Sequence, residues 1–289
     1  MLRNIILIPV SLAVTVQPAL AAVKPPVALA KVGKWEINYD KEACHLLAKF
    51  GASKEETIVR LTRYQPGSVL NLTLFGPLFN TQDPMATVEV GFGLAPAVKY
   101  EAVTGTAGNK LPLMVVGTVR LDGWFSREPL AMPPNVTTEQ EARATAIDLT
   151  LPGKRRYRLE TGSLAAPMRA MRTCVDNLVS NWGYDPAQYA ALRQAPVPAS
   201  SPSTWLGTQD YPYRSLYRGA NGIVQFRLAV DAAGAVSGCH VLYRTNPDDF
   251  ADLTCKLLTK RARFNPALDS SGAPVRSFYV GKVRWIIPG

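Results

Sequence analysis

The chain has 289 residues, of which 47% are hydrophobic and 19% are charged, so it can bury a core and is not intrinsically disordered. Its 32 basic and 22 acidic side chains give a formal net charge of +10. It contains two histidines and four cysteines, so a metal site built from several histidines is not expected. A histidine-based catalytic triad would have to use His45 or His240.

The first residues have the pattern of a secretory leader. Arg3 carries a positive charge, residues 5–16 form an apolar run of 12 residues, and Ala19-Leu20-Ala21 has the small residues of a cleavage site. A membrane anchor is the alternative interpretation, but a spanning helix needs about 20 apolar residues. We therefore predict a signal peptide over residues 1–21, export of the chain, and a soluble mature protein without a membrane span.

A late segment divides the mature chain into two parts. Residues 195–205 are rich in proline, alanine and serine and carry no charge, which predicts a linker. We therefore expect an amino-terminal domain over residues 22–194 and a smaller carboxy-terminal domain over residues 206–289. The predicted fold class is α+β.

Export also changes the interpretation of the four cysteines, because an even set in an oxidising compartment predicts disulfides. Cys44 and Cys174 precede the linker, whereas Cys239 and Cys255 follow it. Domains usually fold as units. We therefore expect Cys44 to pair with Cys174 and Cys239 to pair with Cys255.

The amino-terminal domain is predicted to be mostly β with one long helix. Alternating apolar residues and turn signals predict strands over residues 35–39, 57–64, 68–74, 86–91, 113–121 and 146–151. Apolar residues within 41–50 have a near-helical spacing. The basic run 154–158 indicates a solvated loop or a strand edge. From Met168 to Trp182, apolar residues recur every three or four positions, which predicts a helix with Ser163 at its start and Gly183 at its end.

The carboxy-terminal domain has the predicted order helix, strand, strand, helix, strand. A short helix follows Tyr211, and strands are predicted over residues 223–230 and 235–243, with a bulge at Gly238. A second helix starts at Pro247 and Asp248, and its Cys255 faces the sheet that carries Cys239. The last strand is predicted over residues 276–287, and Phe278, Val280 and Val283 are its candidate core positions.

Five short motifs in this domain carry a family resemblance, and their residues are Tyr211-Pro212, Gly222-Ile223-Val224, Val230-Asp231-Ala232-Ala233-Gly234, Cys239-His240-Val241 and Ala262-Arg263-Phe264-Asn265-Pro266-Ala267. Through them, about residues 207–287 resemble the carboxy-terminal domain of TonB energy transducers. The resemblance implies a three-stranded antiparallel sheet with two helices in the periplasm of a Gram-negative bacterium. It also implies that the domain binds the TonB box of an outer-membrane transporter by adding a strand to its own last strand.

The resemblance places the expected partner-binding residues at the last strand and beside the Tyr-Pro motif, and they are Gln209, Tyr211, Arg276, Phe278, Val280, Lys282 and Arg284. An exposed strand edge offers unpaired N–H and C=O groups to an extended peptide. The alternative is that Arg276, Lys282 and Arg284 merely protect the edge from self-pairing.

Two features separate this chain from the transducers that it resembles: a leader that looks cleavable, and a short linker in place of a long periplasmic arm. We predict a non-enzymatic periplasmic binding protein associated with TonB-type transport across the outer membrane. The alternative is a general cell-envelope module that binds a peptide or a cell-wall ligand. The expected partner is a TonB-dependent transporter or another envelope protein. Nucleic acid, cofactors, metals and catalytic residues are not expected.

Overall fold

The structure is a computed structural model that describes residues 24–124, 134–245 and 249–287. The predicted signal peptide lies outside the described residues, as do Pro247 and Asp248 at the predicted start of the second helix of the carboxy-terminal domain. Within the described ranges, no helix combines the length and the apolar character that crossing a membrane requires.

Nine strands form a closed barrel in the amino-terminal part of the chain. They are β1 Val27–Tyr39, β2 Cys44–Phe50, β3 Thr57–Arg63, β4 Leu70–Phe75, β5 Met85–Gly91, β6 Val98–Ala107, β7 Leu111–Val119, β8 Ala146–Leu151 and β9 Arg155–Glu160. Their order around the barrel is β1-β2-β3-β4-β7-β6-β5-β8-β9. The parallel pair β1–β9 closes the barrel, so this sheet has no free edge.

Side chains alternate between the inside and the outside of the barrel. Leu61 on β3 and Leu72 on β4 are fully buried in the interior, whereas their neighbours Arg60 and Asn71 lie on the outer surface. The helices of this part are α1 Thr138–Arg143, α2 Ala165–Asn181 and α3 Pro186–Ala190. The apolar stripe of α2 packs against β1 and β2 and joins the barrel core.

The helix-like spacing within residues 41–50 was misleading, because this segment forms strand β2. Every second residue of β2 points inward and is buried, which applies to Cys44, Leu46, Ala48 and Phe50. Leu47 points outward and is only half-buried. The alternation is hidden in the sequence because the inward position 48 is an alanine and the outward position 47 is a leucine. Strand β9 was not recognised as a strand because its inward residues Tyr157 and Leu159 lie in a run of basic residues, with Arg158 between them.

The predicted limits of α2 are nearly correct. The helix begins at Ala165 with Leu164 as its N-cap, and the Ser163 hydroxyl accepts a 3.4 Å hydrogen bond from the Ala165 N–H. Ser163 therefore lies one residue before the cap. Gly183 has φ +81° directly after the helix, as predicted for a residue that ends a helix in the left-handed conformation.

The carboxy-terminal part contains the remaining elements, which are β10 Val197–Pro198, α4 Tyr213–Tyr217, β11 Gly222–Val230, β12 Val236–Arg244, α5 Asp249–Arg261, β13 Phe264–Asn265, β14 Ala267–Leu268, β15 Pro274–Val275 and β16 Ser277–Trp285. Strands β12, β11 and β16 form an antiparallel sheet in that order. One face of this sheet packs against α5. The turn between β11 and β12 requires Gly234, because φ is +81° and a Cβ atom would lie 1.9 Å from the Phe264 carbonyl oxygen.

Strand β12 contains two irregularities, of which the sequence predicted one. The register with β11 shifts between Ala229 and Val230, beside the predicted bulge at Gly238. A second shift lies between Gln225 and Phe226. It changes the phase of the strand, so Tyr243 lies on the opposite face from Val241.

The segment predicted as a linker packs on the carboxy-terminal sheet and helix. Strand β10 pairs with β13, and Trp205 is only 2% exposed against Phe264 and Tyr279. The limits of the two domains stay a prediction, but residues 197–205 do not extend away from the sheet.

Both predicted disulfides are present in the structure. Cys44 on β2 pairs with Cys174 on α2, with 6.0 Å between their Cα atoms. Cys239 on β12 pairs with Cys255 on α5, with 5.4 Å between their Cα atoms. Each bridge therefore ties a helix to the sheet on which that helix packs.

Candidate functional site

Strand β16 presents its side chains alternately to the two faces of the small sheet. Trp285 lies on the α5 face, where it stacks on Phe250 with 5.2 Å between ring centroids and donates from Nε1 to the Thr254 hydroxyl at 3.0 Å. Phe278, Val280, Lys282 and Arg284 lie on the opposite face, which the barrel covers. These four are among the residues that the sequence predicted for partner binding.

Phe278 is the centre of the contact between the two parts of the chain. Its side chain is 1% exposed and belongs to the barrel core cluster. The Tyr189 ring stacks on it at 4.7 Å, while Tyr184 and Trp182 contact it edge-on at 5.0 and 5.3 Å. Because the side chain is covered, Phe278 can reach a partner only through its backbone.

Polar contacts surround this aromatic cluster. Arg276 donates to the Gly183 carbonyl at 2.8 Å, and its guanidinium lies 5.2 Å from the centre of the Tyr184 ring. The guanidinium of Arg227 on β11 lies 4.2 Å from the centre of the Trp182 ring. Arg276 therefore serves the interface between barrel and sheet in this structure, a role that the sequence did not suggest.

His240 makes a further contact across this interface. Its Nε2 atom lies 2.8 Å from a carboxylate oxygen of Glu42, which precedes β2. The side chain is exposed, but it contacts the barrel at this carboxylate.

The free edge of β16 can be assigned atom by atom. On β11, the Ile223 N–H donates to Thr245 and the Ile223 carbonyl accepts from the Thr245 N–H, so residue 223 points its backbone groups toward β12. Backbone direction alternates along an antiparallel strand. The register of β11 and β16 then directs Tyr279, Gly281 and Val283 toward β11. The N–H and C=O groups of residues 280, 282 and 284 point to the outer edge, which pairs with no other strand in the described part of the chain.

The two edges of the sheet differ in regularity. Strand β16 pairs with β11 at nine consecutive positions without a shift, from Ser277 to Trp285. Strand β12 has two register shifts. Because bulges disrupt the spacing of backbone groups, β16 offers the better ladder for an added strand.

Gln209 and Tyr211 lie beside the opposite face of the sheet. The Tyr211 ring contacts Phe250 and Trp285 edge-on at 5.5 and 5.8 Å, and its hydroxyl donates to the Ala220 carbonyl. Gln209 is exposed on the preceding turn, which an ion pair of 2.6 Å between Asp210 and Arg261 holds in place. Tyr211 therefore supports the end of β16 from the α5 side, and neither residue lies with the four barrel-facing side chains.

The cysteines and His45 are engaged in structural contacts among the described residues. All four cysteines are in disulfides, and no group of three or more His, Cys, Asp or Glu side chains in the described ranges could hold a metal ion. The Nδ1 atom of His45 lies 2.9 Å from the Thr62 hydroxyl. Burial lowers the pKa of His45 and the charge of Arg60 lowers it further, while Asp40 opposes them.

Residues 208–287 match the family model of the Gram-negative bacterial TonB protein C-terminal. The match covers α4, β11, β12, α5 and β16, and it confirms the resemblance seen in the sequence. The barrel lies outside the match. No curated protein and no solved structure matches the chain significantly. Residues 208–287 are therefore similar to a TonB C-terminal domain, and the barrel is the part of the chain that the match does not explain.

Proposed function

We propose that the TonB C-terminal domain of this chain binds an extended peptide of a TonB-dependent transporter or another envelope protein along the outer edge of β16. The observation that carries this proposal is the regular, unpaired edge at residues 280, 282 and 284. The protein acts by binding and not by catalysis.

Coverage of the two faces supports the choice of the edge. Helix α5 occupies one face of the sheet, and the barrel covers the Phe278 end of the other. The edge therefore offers the longest row of accessible backbone donors and acceptors on β16. An added strand would gain main-chain hydrogen bonds there, and its side chains would supply specificity.

The barrel acts as a scaffold for this edge. Transducers of the family have a membrane anchor and a long arm, whereas in this chain a folded barrel and the adjoining residues 182–189 hold β16 through Phe278. We place the protein in the periplasm after removal of residues 1–21. Two disulfides fit an oxidising compartment. The protein would then present its edge strand from a rigid body without its own membrane anchor.

A matched pair of variants at residue 280 tests the edge. Val280→Pro removes one outward N–H without removing a donor to β11, whereas Val280→Ala removes similar packing and keeps the N–H. With a TonB-box peptide and isothermal titration calorimetry, we expect Val280→Pro to weaken binding at least about tenfold and Val280→Ala to change it about threefold or less.

Circular dichroism and the oxidised state of Cys239 and Cys255 show whether each variant is folded. A folded Val280→Pro protein with wild-type affinity would contradict the edge mechanism. Absence of peptide binding by the wild type would remove the transport proposal. Cross-linking in intact envelopes then separates the two partner classes: recovery of a transporter supports the proposal, and recovery of cell-wall material alone favours the general envelope module.

A further inference from the structure

A cleft separates the outer surface of the barrel from the end of the small sheet that lies away from Phe278. Residues of β3, β4, β6 and β7 form one wall, and residues of β11, β12 and β16 form the other. The cleft consists of two adjoining cavities of about 80 and 190 Å³, which share Tyr64, Asn71, Gln225 and Lys282. The cleft is lined from both sides, so it forms only where the barrel and the small sheet meet.

The charge in this cleft is unbalanced. Arg60 comes from the barrel, and Lys282 and Arg284 come from β16, whereas Glu101 is the single acidic residue that lines the cavities. None of these three cations forms an ion pair with another residue of the described ranges. Desolvation lowers the pKa of Lys282, and the charge of Arg284 lowers it further. Lys282 and Arg284 therefore repel each other, and Arg60 adds a third positive charge to the lining of the same cleft.

Several polar groups in the cleft also lack partners. The Nε atom of Arg60 is buried and has no hydrogen-bond partner in the structure. Gln225 is 8% exposed, lines both cavities, and makes no side-chain hydrogen bond to another described residue. The Lys282 ammonium has one long contact of 3.3 Å to the Thr118 hydroxyl. A buried donor without an acceptor costs stability, so the unpaired Arg60 N–H beside the exposed cations Lys282 and Arg284 favours a ligand that accepts hydrogen bonds.

We propose that this cleft binds an oxyanion, the carboxylate or phosphate group of a small ligand, between Arg60 of the barrel and Lys282 and Arg284 of β16. Guanidinium and ammonium groups are the side chains that proteins use to bind such anions. Tyr64 adds a neutral donor, since burial raises its pKa to about 12 and keeps its hydroxyl protonated. The bound anion would balance the charge between the two walls and hold the sheet against the barrel. This site goes beyond the proposed peptide edge and does not depend on it.

The test uses the full oxidised chain and two probes, inorganic phosphate and succinate, titrated at constant ionic strength with chloride as the reference salt. We expect saturable binding of at least one probe by calorimetry, and a rise in the thermal midpoint with probe concentration. Arg60→Gln and Lys282→Gln should each weaken that binding about tenfold. Arg60→Lys keeps the positive charge but loses the planar guanidinium group, so it should weaken anion binding less than Arg60→Gln does.

Lys54→Gln is the matched control, because Lys54 is an exposed cation that does not line the cleft. It should bind the probe as the wild type does. Should Arg60→Gln fail to fold, Lys282→Gln and Arg284→Gln, which alter exposed side chains, carry the test. Binding of phosphate alone identifies a phosphate group and binding of succinate alone identifies a carboxylate, and both support the site. No saturable binding of either probe, or an equal loss in Lys54→Gln, would overturn it.

Val280→Pro separates this site from the peptide edge. It should lose the TonB-box peptide and keep the anion, since Val280 lines the second cavity only with an apolar side chain and contributes no charge or side-chain donor to the cleft. Loss of the anion in the folded Val280→Pro variant would contradict two independent sites.

Discussion

The barrel and the small sheet of this chain differ in how they cover their faces and edges. The barrel pairs all nine strands in a closed ring and fills its interior with its own side chains and the stripe of α2. The small sheet has three strands, two edges that pair with no other strand among the described residues, and a second face that packs on residues 182–189 and the barrel. A closed sheet satisfies its own backbone, whereas an open one leaves edges for a partner and needs another body on its uncovered face.

The two disulfides should differ in the stability that they contribute. The Cys44–Cys174 bridge spans 130 residues and the Cys239–Cys255 bridge spans 16. Chain entropy predicts a loss of about 5 kcal/mol for a Cys44→Ala/Cys174→Ala variant and about 3 kcal/mol for the Cys239→Ala/Cys255→Ala variant. Unfolding in guanidinium chloride measures both losses. A larger loss of stability in Cys239→Ala/Cys255→Ala would show that packing in the native state, and not the length of the closed loop, decides how much a disulfide contributes.

Phe278→Ala should weaken the packing of the small sheet against the barrel and residues 182–189. Removing a fully buried phenylalanine costs about 3–5 kcal/mol, and here the lost contacts join β16 to the barrel. We expect calorimetry to show the small domain unfolding at a lower temperature, as a transition separate from that of the barrel. Tyr217→Ala is the control, since Tyr217 is 85% exposed and its loss should change stability by about 0.5 kcal/mol or less. A single unchanged transition in Phe278→Ala would show that Phe278 does not couple the sheet to the barrel.

The smallest expected effect concerns pH and the barrel alone. The pKa of His45 is lowered from 6.5 in the folded state, so the unfolded chain takes up a proton first as the pH falls below that value. The free energy of unfolding is therefore unaffected by His45 above pH 6.5, and it decreases as the pH falls from 6.5 toward the lowered pKa of His45. His45→Gln keeps an amide near Thr62 and should flatten the pH dependence of the unfolding midpoint in this window. If the unfolding midpoint of His45→Gln changes with pH as steeply as that of the wild type, groups other than His45 cause the pH dependence.

The small sheet was predicted well because its signals are local. Asp231 and Gly234 specify a tight turn, alternation specifies β11, and a helix stripe places Cys255 opposite Cys239. These signals each depend on residues close in sequence. The family match over residues 208–287 has the same basis, since the motifs that carried the resemblance are short.

The barrel was predicted only in part because its closure is not local. The sequence indicated many strands, but β1 pairs with β9 across about 130 positions, for example Leu29 with Leu159. No periodicity within either strand specifies such a pairing. The candidate site was affected in the same way. The alternation of Phe278 and Val280 predicted burial, but it did not show that the barrel covers them, so both were also assigned to partner binding.

The sequence by itself determined the disulfide pairing and the order of elements in the small sheet, because each depends on composition or on neighbours along the chain. Tertiary structure alone decided that β2 is a strand, that the barrel covers Phe278, and that Arg60 lies across a cleft from Lys282 and Arg284. The physical reason is that burial can be inferred from an apolar residue, whereas the surface that buries it, or that brings like charges together, comes from a distant part of the chain.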